Sequence, residues 1–223
     1  MASDIVNFAP KDAAAVGRLH KEGIRTGFLS RLGVRFLKEL YKGIGSSPFS
    51  KIFVATDREQ KTVNGFAACS LDTTALYRHI LLRRGVLFCL VLLPRIFFPD
   101  NLKFILQTLF YPLKSGVRRK SGTGVAGNEV QNPDGPAGHI AALPELLSIA
   151  VAGPSRGKGI GRQLLAAMES YLKENGAVSY KVLTDSADDG SNAFYRKCGF
   201  VFRRSIVHHG NSLNEYIKEV GRS

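Results

Sequence analysis

Cysteine is scarce in this chain of 223 residues: Cys69, Cys89 and Cys198 are three, an odd number set far apart. They draw neither a disulfide framework nor a CxxC metal knuckle and read as buried or incidental thiols. Long apolar runs are lacking too. The longest uncharged one, Gly85 to Pro94, would make about 15 Å of helix, half the ~30 Å hydrocarbon core of a bilayer. A spanning helix is not expected. The N-terminus, Met-Ala-Ser-Asp-Ile-Val-Asn-Phe, has neither the basic start nor the apolar stretch of a secretory signal, so the expected location is cytoplasmic. His20, His79, His139, His208 and His209 show no HExxH or i,i+4 ligand spacing, and no metal is expected. Acidic residues are few, 18 against 31 Lys and Arg, which leaves a net charge of +13 and a pI near 9.9.

What the chain does have is the composition of a folded protein. With 44% hydrophobic and 22% charged residues it can bury a sizeable core, and disorder of the whole chain is excluded. Its length suits one domain, residues 1–223, carrying an insertion. The excess charge is concentrated. From Leu76 to Lys120 nine basic side chains face Asp100 alone, a local net of +8, among dense apolar blocks such as Val86 to Leu93 and Ile96 to Phe98. Ser115 to His139 is rich in Gly, Ser, Asn and Pro without apolar period and reads as a loop. Gly122 to Gly127 spells GxGxxG, but no strand precedes it and no helix follows, so it is a decoy.

On both sides of residues ~71–139 strand and helix patterns alternate. Ile5–Phe8, Lys51–Ala55, Val63–Cys69, Glu145–Val151, Val178–Leu183, Val201–Val207 and Leu213–Val220 read as strands. Ala13–Glu22, Gly33–Ile44, Gly159–Glu174 and Ser191–Cys198 read as helices. Within the insertion two helices are expected, Ala75–Leu93 and Asp100–Leu109, broken by Pro94 and Pro99. The class is α/β, a mixed central sheet flanked by helices, with a helical insertion before the strand at Glu145.

The chemistry concentrates after that strand. Leu147 to Leu165 runs from a buried strand through Gly-Pro-Ser-Arg-Gly-Lys-Gly-Ile-Gly into a helix with Ile160, Leu164, Leu165, Met168 and Leu172 on one face. Gly157, Gly159 and Gly161 clear side chains from the helix start, and Arg156, Lys158 and Arg162 add charge, an arrangement that cradles phosphate. A Walker loop is excluded, since three residues separate Gly153 from Gly157 and Gly159 follows Lys158.

Arg156-Gly-Lys-Gly-Ile-Gly161 resembles the (Arg/Gln)-x-x-Gly-x-(Gly/Ala) loop of the GNAT acyltransferase superfamily, and Asn192-Ala-Phe-Tyr-Arg-Lys-Cys-Gly-Phe200 resembles its second signature. The resemblance covers residues ~140–205 and, by order of elements, Ile5 to Ser70. It implies the GNAT fold, with acetyl-CoA or another acyl-CoA between the Glu145–Val151 and Val178–Leu183 strands. Backbone groups of Ile149, Ala150 and Val151 would bind the pantetheine arm. Arg156, Gly157, Lys158, Gly159, Ile160, Gly161 and Arg162 would bind the pyrophosphate, and Asn192 would add a ligand contact or leave helix capping to Asp185, Asp188 and Asp189. Tyr195 would protonate the departing thiolate, which a phenol of pKa near 10 facing a thiol of pKa near 8.5 is able to do. Glu145 is the candidate base, or a strand-end carboxylate pairing with a cation; His20 either borders the acceptor or packs inside. The function implied is N-acylation of a small-molecule amine or amino-sugar by direct attack, with no metal. The alternative is a non-catalytic CoA-binding or membrane-docking module. Residues 76–120 offer a peripheral contact with the inner face of a membrane, or a lid or homodimer surface. Nucleic acid is disfavoured, because the basic cluster lacks a base-reading motif.

Overall fold

The computed structural model describes residues 3–24, 28–96, 143–208 and 211–221. Seven strands form one sheet: β1 Ser3–Asn7, β2 Ser50–Asp57, β3 Val63–Ser70, β4 Glu145–Val151, β5 Ser179–Asp185, β6 Val201–His208 and β7 Asn211–Glu219, in the order β1-β2-β3-β4-β5-β7-β6. The helices are α1 Ala13–Gly23, α2 Phe28–Arg31, α3 Gly33–Gly45, α4 Thr73–Ile96, α5 Ile160–Glu174 and α6 Asp189–Lys197. Strand neighbours are antiparallel except β4 and β5, which α5 links as a crossover because parallel strands cannot be joined by a tight turn.

Each face of the sheet has its own core. On one side α1, α3 and α4 bury Val16, Leu37, Tyr41, Leu76 and Ile80 against Ile52, Val54, Phe66 and Ala150. On the other, the apolar stripe of α5, Ile160, Leu164, Leu165, Met168 and Leu172, packs with Ala67, Cys69, Leu146, Tyr180, Val182 and Tyr195. That stripe is the one the sequence pattern gives, since residues 3–4 apart share a helical face.

Two features of β4 set up the site. Its pairing with β5 consists of Glu145↔Lys181 and Leu146↔Val182, so strands of seven residues each part after the second. The register against β3 also slips: Ala68 faces Ser148, but Cys69 faces Leu146, leaving Leu147 as an extra residue. Such a bulge reverses the in–out alternation. Leu146 accordingly joins the α5 core, while Ser148 and Ala150 face the α1–α3 side.

The first expected insertion helix is present as α4, begun at Thr73 instead of Ala75. It continues through Pro94, which removes one N–H bond, to the Leu90 carbonyl, and is described as far as Ile96. The expected Asp100–Leu109 helix and the Ser115–His139 loop lie outside the described residues. Among those described, no helix is long and apolar enough to cross a membrane.

Candidate active site

The glycine loop follows β4 directly. A 3-10 turn, Gly153–Ser155, leads to Arg156 in extended conformation and then to Gly157 and Gly159, with φ of +77° and +78°. A side chain at either position would be strained. A Cβ on either glycine would meet nothing within 4 Å, so space is left over the first turn of α5, whose N-cap is Gly159. Gly161 is needed for a different reason: its Cβ would come 3.1 Å from two atoms of the Phe194 ring. No acidic residue lies in that first turn. Arg156, Lys158 and Arg162 are exposed around it, while the Ile160 side chain is buried below.

The opening between β4 and β5 leaves backbone groups without a strand partner. Ala152 N–H donates to Asn64 O on β3 at 2.8 Å, and in an antiparallel pair every second residue points the same way. Ala150 therefore turns its backbone to β3, and Ala150 O lies against Gly65. Ile149 and Val151 turn theirs to the opening. Val151 O takes the Arg156 Nε–H at 3.1 Å, which folds that side chain over the strand end. Of the three predicted backbone ligands, Ile149 and Val151 turn their backbone groups to the opening and Ala150 turns its to β3.

Tyr195, on α6, is buried among Phe194, Phe200 and Tyr216, with ring centroids 5.5, 5.2 and 6.2 Å away. It belongs to the core against which the side chains of Ile149 and Val151 pack. Burial pushes its phenol well above the usual range, with the Asp188 carboxylate adding to the effect. Asn192 is committed internally. Its Nδ2 donates to the carbonyls of Asp185 (2.9 Å), Asp188 (2.7 Å) and, longer, Ser186 (3.5 Å), and its Oδ1 accepts from Asn214 Nδ2 and Tyr216 Oη, both at 2.9 Å. It builds the loop ahead of α6, and Asp188 caps the helix through the Ser191 N–H.

Glu145 sits where β4 and β5 are still joined. Its Oε2 is 3.4 Å from Lys181 Nζ and accepts from Thr73 Oγ1 at 3.4 Å. Burial raises its pKa, and Lys181 only partly offsets that. Thr73 belongs to α4, so Glu145 lies on the α1–α4 side and Tyr195 on the α5 side; the opening begins between them.

A chain of hydrogen bonds that no sequence spacing announces crosses the first of these layers. Tyr41 Oη lies 2.6 Å from His20 Nδ1 and 2.9 Å from Ser148 Oγ, all three side chains buried. It fastens α1 and α3 to β4 one residue past the bulge. Burial lowers the His20 pKa to about 4. So low a basicity disfavours proton uptake from an ammonium, and the bond to Tyr41 makes His20 an internal fastening.

The fold has counterparts among known proteins. Residues 122–200 match the model of the acetyltransferase (GNAT) family. Ard1 from Thermoplasma volcanium superposes with a TM-score of 0.57 at 16% identity, over 100% of both chains. NAA60 from Arabidopsis thaliana in complex with acetyl-CoA gives 0.57 at 12%, over 99% of this chain and 100% of that one. The chain is a GNAT-fold protein. An N-acetyltransferase from Staphylococcus aureus Mu50 is similar at the same level, 0.58 and 14%, over 99% of each chain. Among curated protein sequences none matches. The GNAT match and these neighbours support acyl transfer as the general class of activity and an acyl-CoA as donor, which the glycine cradle and the unpaired edge of β4 fit.

Proposed function

We propose that the chain is an acyl-CoA-dependent N-acyltransferase, residues 1–223 acting as one domain with 71–139 as its insertion. The observation that carries this is the opening between β4 and β5, with the Ile149 and Val151 backbone turned into it and a bare helix start at its mouth. Gly157, Gly159 and the first N–H groups of α5, with Arg156, Lys158 and Arg162, bind the pyrophosphate. Ile149 and Val151 bind the pantetheine arm as a strand would, which directs the acyl group towards the point where the strands join.

Glu145 is the base there. It removes a proton from the acceptor ammonium, directly or through water, and its burial raises its basicity towards the neutral range. The amine nitrogen attacks the acyl carbon, the C–S bond breaks, and no covalent enzyme intermediate forms. Tyr195, held protonated, donates to the leaving sulfur. The second proton lost by the attacking nitrogen returns to the phenolate, so that Tyr195 ends protonated.

Calorimetric titration of acetyl-CoA into the wild type and a Gly159→Asp, Gly161→Asp variant tests this reading. Micromolar binding by the wild type, lost in the variant, supports it. A folded wild type that binds no acetyl-CoA removes it.

A further inference from the structure

β3 and β4 are antiparallel neighbours, and their pairing closes on Ser70↔Glu145. A tight turn could join two such strands. Here the chain instead leaves the sheet at Ser70, directly across from Glu145, and enters α4 three residues later. The root of α4 is firmly held. Leu71 packs into the α5 core and its N–H donates to Phe49 O at 2.8 Å, while Asp72 caps the helix by accepting from the Ala75 N–H at 2.9 Å. Thr73, the first residue of α4, then donates its hydroxyl to Glu145 Oε2.

Residues three and four apart share a helical face, so Thr73, Leu76, Tyr77, Ile80, Arg84 and Phe88 form one inward stripe of α4. Leu76, Ile80 and Phe88 are buried in the core shared with α1 and α3, and Arg84 bonds Glu39 of α3. Tyr77 departs from this pattern. It lies on the same stripe, one turn beyond Thr73, yet is 42% exposed. Its phenol is nevertheless pushed up to about 12, first by burial and then by the Glu145 carboxylate, an effect that requires proximity. The hydroxyl is therefore turned in towards Glu145, and the open surface of the residue is its ring. An aromatic face left open beside a carboxylate suits a ligand that carries a basic nitrogen next to an apolar surface.

We infer that Tyr77 sets acceptor specificity: an amine held at Glu145 lays its carbon skeleton on the Tyr77 ring, which favours an amine borne on a ring, aryl or pyranose, over a linear alkyl amine. A rigid ring covers the flat face of the phenol at once, whereas an alkyl chain has to freeze its torsions to do so. The inference rests on the acyltransferase reading above, in which Glu145 takes the acceptor proton. It assigns a role to a residue that lies in neither of the two motifs, at 156–161 and 192–200.

Three amines test it: benzylamine, glucosamine and n-butylamine. Each is titrated calorimetrically into CoA-saturated wild type, Tyr77→Phe and Tyr77→Ala, with thermal unfolding as the check that the variants fold. The expected result is binding of one or both ring-bearing amines about threefold or more tighter than n-butylamine. Tyr77→Phe keeps that preference, Tyr77→Ala loses it, and CoA affinity is the same in all three proteins. A preference for benzylamine alone assigns an aryl acceptor, and one for glucosamine alone assigns a sugar. Equal or undetectable binding of the three amines by the wild type overturns the inference, as does a preference that survives in Tyr77→Ala or is lost in Tyr77→Phe. The chain has no tryptophan, so Tyr77→Trp places a single emitter at the site and gives a second reading should Tyr77→Ala not fold. The preferred amine should change its emission in the CoA-saturated protein, and binding without such a change also overturns the inference. Failure of the wild type to bind CoA at all is a separate result, against the acyltransferase reading itself.

Discussion

Glu145 is pulled two ways, by burial, which favours the neutral acid, and by Lys181 at 3.4 Å, which favours the carboxylate; burial wins and the pKa rises. As a base it must be ionised, so the rate should climb with pH through that raised pKa. Glu145→Gln should lower kcat by about 10²–10⁴ and remove the acid limb of the pH–rate profile. A residue that only held Lys181 would leave the limb in place. Tyr195→Phe keeps the ring packed against Phe200 and removes the donor. The expectation is a kcat reduced by at least about tenfold with acetyl-CoA affinity unchanged, measured by thiol release and calorimetry; an unchanged kcat would favour a packing role. His20 yields a stability prediction. Its pKa is about 6.5 unfolded and about 4 folded, so the unfolded chain binds more protons between those values. Stability is lost as pH falls through that window and levels off below it, by about 3 kcal/mol for this group. Urea unfolding of His20→Asn should show a correspondingly smaller loss from pH 6.5 to 4 than the wild type, and equal losses would mean that His20 is not held neutral.

At the scale of elements, the segment between β5 and α6 is closed by one side chain. Asn192, 2% exposed, satisfies carbonyls on its own side and is held by Asn214 and Tyr216 of β7 on the other. Asn192→Ala strands several buried polar groups at once, and a loss of roughly 2–4 kcal/mol is expected by urea unfolding. A loss under about 0.5 kcal/mol would show that these bonds are replaced by water. The same residue shows where sequence reading stops. Strands such as Glu145–Val151 and the apolar stripe of α5 were legible because alternation and 3.6-residue periodicity follow directly from burial on one face. The placing of the glycine loop at the start of α5 and of Tyr195 on α6 was legible because their spacing is local. The role of Asn192 was not, since the donors to its Oδ1 come from β7 more than twenty residues on. Nor was the His20–Tyr41–Ser148 chain, which joins positions 107 residues apart. A bulge such as that at Leu147 adds one ordinary residue to an apolar strand and leaves no mark on composition. The one-turn helix Phe28–Arg31 is too short to show a period.

At the scale of the whole molecule, the sheet is two halves joined at two residue pairs. β1 to β4 form one antiparallel set and β5, β7 and β6 another, and the junction is Glu145↔Lys181 and Leu146↔Val182. Everywhere else neighbouring strands share five or more pairs. A ligand that lies in the opening and bonds the β4 edge on one side while touching the α6 layer on the other would supply the contacts the missing strand pairs do not. Its binding should therefore stabilise the fold as a unit. By mass action, acetyl-CoA at about 100 times its Kd adds ~2.7 kcal/mol, which for a chain of this size raises Tm by roughly 5–10 °C. The rise should grow with the logarithm of ligand concentration, and the Gly159→Asp, Gly161→Asp variant should show little of it. A wild-type Tm indifferent to acetyl-CoA would mean that the opening between β4 and β5 is not bridged by this donor. A shift equal in wild type and variant would place the donor elsewhere on the molecule than the glycine loop.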